Sequence, residues 1–351
     1  MKVLIPAYTG LGNFILKTPL IQTLHKLHSD VEIDIVYGNS WGVENVLKGS
    51  NLIKSQIKIS NNVNLLRQIL LIRRQVKNQS YDLILLPFDS TPLYMYMILF
   101  IERKVLVVAH YRRLSNVKGF FQKILAILIP RIQWVTALKN RHEIDLNIDL
   151  LAEFEKKPFN YSKKTTVFWK KTEIVSENIK GKYVVLQIGA NNGESTPKTW
   201  SLKNFIEFSK KFKSENPDYF IVLVGDNGDN EYLQRSNLLF GSDVINLLGQ
   251  TSFDELCDVI KGASLVIAHD SGVMHVANSM SVPLISLYGP TDYKRTMPLS
   301  DSSSILISKK CKDEMYDMRI SEKEIVERYG DYYCLSGISV HDVYMAAQDK
   351  V

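Results

Sequence analysis

The sequence predicts an α/β fold, laid down twice along 351 residues. Short apolar, β-rich runs alternate with segments of helical periodicity almost throughout. The alternation breaks once, in a stretch rich in Lys, Ser and Thr from Glu155 to about Lys182. Several strands also end in small polar residues that lead directly into helices, as β-α-β units of parallel sheets do. An apolar content of 45% and a charged content of 23% are globular values, and the length suffices for two domains with separate cores.

In the first half, Lys2–Pro6, Glu32–Val36, Asp82–Leu86 and Lys104–Val108 read as strands because they are short, apolar and bounded by turn residues. Phe14–Leu27 and Leu65–Lys77 between them carry helical spacing. The second series is Tyr183–Ile188, Tyr219–Val224, Val244–Leu247, Ser264–Ala268 and Pro283–Leu287, with helices at Asn204–Lys213 and Phe253–Lys261. Ser252 with Glu255 three residues on forms a capping box at the last of these helices. Ser339–Lys350 predicts a terminal helix with Val340, Val343, Tyr344 and Ala347 on one face. The expected organisation is a domain over 1–160, a linker over 161–180, a second domain over 181–335 and a terminal helix over 336–351. No internal repeat stands out, and Ser300–Ser304 reads as a turn.

The net charge of +6 is unevenly spread. Residues 1–160 hold 21 Lys/Arg against 12 Asp/Glu, and residues 161–351 hold 22 against 25. The basic half implies an anionic partner, either a phosphorylated substrate or an acidic membrane surface. Nucleic acid is disfavoured, because the basic residues are scattered and no recognition motif accompanies them. Cys257, Cys311 and Cys334 make neither a disulfide framework nor a zinc quartet, so a reducing compartment is the default. Met1-Lys2 and the short apolar run after it do not resemble a signal peptide. Leu93–Ile101, the strongest apolar stretch, is too short to span a bilayer.

The chemistry concentrates in Asp270-Ser271-Gly272-Val273-Met274-His275, which follows an apolar strand and opens a helix, and in Tyr288-Gly289-Pro290-Thr291, which ends the next strand. Beyond the carboxyl ends of parallel strands, helix N-termini offer free N–H groups and a positive dipole end. A diphosphate is the simplest ligand for such a place. His275 lies on the first turn of that helix, where a ring N–H could reach a phosphate; the alternative is a packed histidine.

Three further loops follow strands. Gly189-Ala190-Asn191 leads to Lys198-Thr199-Trp200, a lysine for a phosphate and an indole as a wall, or else a solvated loop. Asp226 to Glu231 offers carboxylates to ribose hydroxyls, although acids in a first helical turn are ordinary dipole partners. Gly10-Leu11-Gly12-Asn13 can bring backbone N–H groups close to a ligand or can simply turn the chain. It is no dinucleotide fingerprint, because Ile15 stands at the third glycine position. No Asp-x-Asp pair for a metal-diphosphate stands at a strand end.

Taken together, these motifs resemble glycosyltransferase family 9, the ADP-heptose:lipopolysaccharide heptosyltransferases and their relatives. The resemblance runs through Gly12-Asn13 to Leu20, His142 to Leu151, Lys198 to Ser201, Leu248-Gly249 to Leu256, Asp270 to His275 and Tyr288 to Thr291. It implies a GT-B fold, two Rossmann-like β/α/β domains facing across a cleft, the first binding acceptor and the second a nucleotide sugar. It also implies an inverting, metal-independent sugar transfer, with heptose from ADP-heptose moved onto a lipopolysaccharide or other bacterial surface glycan. The nucleotide-diphosphate sugar is then a co-substrate, and no cofactor is expected. Alternatives are a GT-B enzyme using another nucleotide sugar and a catalytically silent homologue that binds nucleotide sugar or glycan.

By motif, the resemblance assigns Lys198 to the donor sugar or its phosphate, and Asp270 to His275 to the sugar-diphosphate. Gly189, Ala190, Trp200, Asp226, Glu231, Thr251, Tyr288, Gly289 and Thr291 complete the expected donor set. The terminal helix would pack back on the first domain. The family's first-loop aspartate, the proposed base, is Asn13 here, and an amide cannot take the acceptor proton. Either another residue serves, the candidates being Asp89 and His110 at strand ends that should face the cleft, or the mechanism leans on orientation and leaving-group stabilisation alone, or activity is lost. Gly10, Gly12, Arg112, Arg113 and Lys118 are expected at the acceptor, an anionic lipid-linked saccharide, with Phe120 and Phe121 approaching the inner membrane from the cytoplasm. The alternative for that segment is a core helix after a solvated loop.

Overall fold

A computed structural model gives the fold. It describes residues 1–7, 10–38, 41–59, 65–76, 79–87, 105–111, 132–138, 140–173, 179–189, 197–235, 240, 244–311 and 322–351. The chain divides into two compact units, Met1–Phe168 and Trp169–Val351.

The first unit contains β1 (Lys2–Ala7), α1 (Leu11–Ile15), α2 (Thr18–Leu27), β2 (Glu32–Tyr37), β3 (Ser55–Lys58), α3 (Leu65–Val76), β4 (Leu83–Leu86), β5 (Leu106–Tyr111), β6 (Ile132–Thr136) and α4 (Glu143–Glu155). Its strands pair in parallel in the order β3-β2-β1-β4-β5-β6. Central strands covered on both faces need continuous apolar runs, and the Leu-Ile-Leu-Leu of β4 is wholly buried. Edge strand β3, Ser-Gln-Ile-Lys, is mostly exposed.

The second unit contains β7 (Lys182–Gln187), α5 (Leu202–Glu215), β8 (Tyr219–Val224), α6 (Asn227–Arg235), β9 (Val244–Asn246), α7 (Phe253–Lys261), β10 (Leu265–His269), α8 (Gly272–Ser279), β11 (Leu284–Tyr288), α9 (Tyr293–Thr296), β12 (Ser303–Ile307), α10 (Glu322–Tyr329), a 3-10 turn at Cys334–Gly337 and α11 (Val340–Gln348). The order β12-β11-β10-β7-β8-β9, all parallel, repeats the winding of the first unit. Each sheet therefore reverses direction once, between β1 and β4 and between β7 and β10. Such a switch point opens a crevice beyond the carboxyl ends of the strands. The core beside the second sheet is aromatic: Trp200, Phe205, Phe208 and Phe212 are fully buried, with Trp200 edge-on to Phe205 at 4.9 Å.

Two expectations change. Ser303–Ile307 is a strand, where a turn was expected over Ser300–Ser304. Cys311 and Cys334 form a disulfide with Cα atoms 5.2 Å apart, and Cys257 stays a buried thiol whose pKa burial raises. The terminal helix α11, started by a Ser339/Asp342 capping box, lays Val343, Tyr344 and Ala347 on the second unit. The Tyr344 hydroxyl donates to Glu215, and Lys211 Nζ lies 4.1 Å over the Tyr344 ring, so α5 packs against this face of the helix.

Candidate functional site

Two buried polar side chains stand at the switch point of the second sheet. Gln187 is the last residue of β7 and His269 the last of β10. The Gln187 side-chain oxygen accepts the His269 backbone N–H at 3.2 Å and the Ser271 hydroxyl at 2.7 Å. Its amide donates to the Gly189 carbonyl at 2.8 Å. His269 Nε2 accepts the Trp200 backbone N–H at 2.9 Å. An accepting Nε2 requires the proton on Nδ1. Burial holds the ring neutral, with its pKa pulled down to about 3, only partly offset by the Gly189 backbone. One network thus ties together the turns after β7 and β10 and the turn before α5.

The network decides how α8 begins. Ser201, Ser252 and Ser339 each cap their own helix with the side chain, as an N-cap serine usually does. Ser271 occupies the same position in α8 and makes no side-chain cap; its hydroxyl is turned toward Gln187 and away from the first N–H groups of the helix. The N–H groups of Gly272, Val273 and Met274 have no carbonyl one turn earlier, so the dipole's positive end stays open. An uncapped helix N-terminus of this kind can receive an anion. Asp270, half-buried beside it, supplies an acceptor suited to a hydroxyl.

Other predicted donor residues gather around this turn. Lys198 is half-buried and lies two residues before the Trp200 N–H that His269 holds. Gly289 is buried where a Cβ would press on Leu335 and the Pro197 carbonyl, which sets the turn after β11 beside Lys198. Thr251 and Thr291 are half-buried in the turns after β9 and β11. At the end of β8, Asp226 and Asp229 form a reciprocal box: Asp229 accepts the Asp226 N–H at 2.9 Å, and Asp226 accepts the Asp229 N–H at 3.1 Å. Asp226 and Glu231 are exposed. The Asp229 carboxylate is buried against the backbone of Gly189 and Gly225, where a Cβ on either glycine would overlap it.

Three of the predicted donor residues are buried. Trp200 is fully buried, and its indole N–H donates to the Ile338 carbonyl at 2.9 Å; it is core, not a ligand wall. Tyr288 is fully buried too, its hydroxyl 3.3 Å from Met274 Sδ and 3.4 Å from the Thr296 hydroxyl, so it supports α8 from beneath. The His275 ring is buried at 3% exposure, as a packed histidine.

In the first unit, Gly10 is exposed and Gly12 and Asn13 are half-buried in the turn after β1. Lys17, wholly buried beneath, donates to the Asn13 carbonyl at 3.1 Å. His110 is corrected as a base. It is wholly buried in β5, its Nε2–H donates to the Leu146 carbonyl at 2.6 Å, and burial lowers its pKa. Asp89, Ala190, Arg112, Arg113, Lys118, Phe120 and Phe121 lie outside the described residues.

Gln187, His269 and Asp229 were not predicted as site residues. A signal was present for the first two, since Gln187 is a polar residue near the end of an apolar run and His269 directly follows one.

Lipooligosaccharide heptosyltransferase 2 of Haemophilus influenzae is 40% identical over 80 residues, 23% of this chain and 22% of that protein, so the match spans about a fifth of the relative's length. The glycosyl transferase family 9 structure from Veillonella parvula superposes with a TM-score of 0.77 at 21% identity, covering 99% of this chain and 96% of that one. The structure of E. coli ADP-heptose lps heptosyltransferase II gives 0.69 at 19% identity, covering 99% and 98%. These likenesses establish the GT-B fold. The sequence model of glycosyltransferase family 9 (heptosyltransferase) matches residues 105–325, well over half of the chain and the part that holds the Gln187–Ser271 network, and the protein belongs to that family.

Proposed function

We propose that the chain is an inverting glycosyltransferase that moves a heptose from ADP-heptose onto a lipopolysaccharide or other bacterial surface-glycan acceptor. The observation that carries this reading is the uncapped N-terminus of α8 at the switch point of the second sheet. Its N–H groups receive the donor diphosphate, and Lys198 adds positive charge. The acceptor hydroxyl attacks the anomeric carbon on the face opposite the diphosphate. The bond from that carbon to the phosphate oxygen breaks, and its electron pair leaves with ADP. Fixed donors aimed at that developing charge lower the barrier without reorganising. No metal or cofactor takes part in this scheme.

The acceptor is an anionic lipid-linked saccharide, with Arg112, Arg113 and Lys118 on its phosphate or carboxylate groups. This sets the protein at the cytoplasmic face of the inner membrane. The acceptor proton goes to a base other than Asn13, and Asp89 is the remaining candidate. A thermal-shift series with ADP-, UDP-, GDP- and CDP-sugars tests the donor, because a ligand bound only by the native state raises its stability. Stabilisation by ADP-heptose followed by acceptor-dependent ADP release supports the reading; preference for another base or sugar overturns the donor. Asn13 favours one second reading, a silent nucleotide-sugar-binding protein, for which binding without acceptor-dependent release is the mark.

A further inference from the structure

Helix α3 is built against the usual rule for a surface helix. Its inner face, Gln68, Ile69, Ile72 and Val76, is buried, with Ile72 and Val76 in the core under the first sheet. The opposite face should then be polar. Instead Leu66, Leu70 and Leu71 are exposed by 73%, 58% and 37%, interleaved with exposed Arg67, Arg73 and Arg74. At about 100° per residue these six positions fill one continuous arc. The helix contains no Asp or Glu.

We infer that this face of α3 docks on an anionic phospholipid surface. Leucines on a convex face cost stability in water and are repaid only when something apolar covers them. The arginines say what that is. A second copy of the chain meeting the same face about a two-fold axis would set three arginines against three arginines. A nucleic acid would satisfy the arginines and leave the leucines unused. An anionic bilayer surface satisfies both, taking the leucines into the acyl boundary while the guanidinium groups reach back to phosphates. Among the described residues no helix is long and apolar enough to cross a membrane, so the contact is peripheral. The inference deepens the membrane placement proposed above by naming the face that makes it.

The test is flotation of the full chain with vesicles of phosphatidylcholine alone or mixed with phosphatidylglycerol, without donor or acceptor, so its failure leaves the transfer reading untouched. Binding is expected only to the anionic vesicles and is expected to weaken as salt rises. Leu66→Ser with Leu70→Ser should abolish most of it. Arg67→Gln with Arg73→Gln and Arg74→Gln should lower the partition coefficient by about a hundredfold, since each basic residue near such a surface contributes roughly fivefold. All six side chains are exposed, so melting temperatures near wild type verify folding. Undiminished binding by either variant, or equal binding to neutral vesicles, overturns the inference. So does a wild-type dimer that the leucine changes dissolve while vesicle binding persists.

Discussion

The Ser271 hydroxyl donates to the side-chain oxygen of Gln187, 2.7 Å away, and its oxygen accepts none of the first N–H groups of the helix that Ser271 begins. Gln187 thereby controls whether the N-terminus of α8 is open. Replacing it with leucine frees Ser271 to cap α8 and compete with the diphosphate. Calorimetric titration of Gln187→Leu with ADP should show affinity reduced about tenfold, ~1.4 kcal/mol. Ser271→Ala, which removes the hydroxyl but leaves the N–H groups open, should bind nearly as wild type. An equal loss in both variants would mean that the hydroxyl is itself a phosphate ligand.

His269 makes stability depend on pH in a stated direction. Its folded pKa of about 3 lies below the ordinary 6.5. As pH falls below 6.5 the unfolded chain takes up a proton that the folded chain refuses, so stability is lost progressively down to about 3. The slope is at most ~1.4 kcal/mol per pH unit. His110, lowered by burial in the first unit, adds to it in the same sense. Urea unfolding of His269→Gln should be flatter than wild type between about pH 4 and 6; matching slopes would show that the imidazole is not the titrating group.

The Cys311–Cys334 bond closes a loop across 23 positions of sequence. Cys334→Ser should lower stability by about 2–4 kcal/mol. A dithiol reductant should lower the wild type by a similar amount and leave the variant unchanged. Reductant sensitivity in Cys334→Ser would place the effect elsewhere.

Asn13 sets a rate prediction. With Asp89 as the base, Asp89→Asn should lower acceptor-dependent ADP release by roughly 100-fold or more, the contribution of a positioned base, and Asn13→Asp should raise it little. Stopped-flow or coupled ADP detection reads this directly, and an unchanged rate in Asp89→Asn would mean that another group already serves.

Much of the fold was legible because periodicity is loudest where burial is complete. β1, β2, β7, β8, β10 and β11 are apolar runs between turn residues, and the sequence places each within a residue or so. Ser55–Lys58 and Ser303–Ile307 escaped because edge strands pair on one side only and tolerate serine, glutamine and lysine. The anion turn was legible from Asp270-Ser271-Gly272 after an apolar strand. What sequence could not say is which polar groups face inward. Trp200 and Tyr288 look like ligand walls in a motif and are core in three dimensions, whereas Gln187 looks like strand and holds the turn. Contacts between residues 82 positions apart carry no local signal.

The buried Asp229 carboxylate sits where side chains on Gly189 and Gly225 would have to go. These three positions therefore share one volume, and their mutational histories are bound together. A larger residue at either glycine becomes tolerable only after Asp229 has shrunk. An Asp229 lost first would leave Asp226 uncapped and a hole beside the turn after β7. Any single substitution at this corner therefore carries a cost, whichever of the three positions changes first.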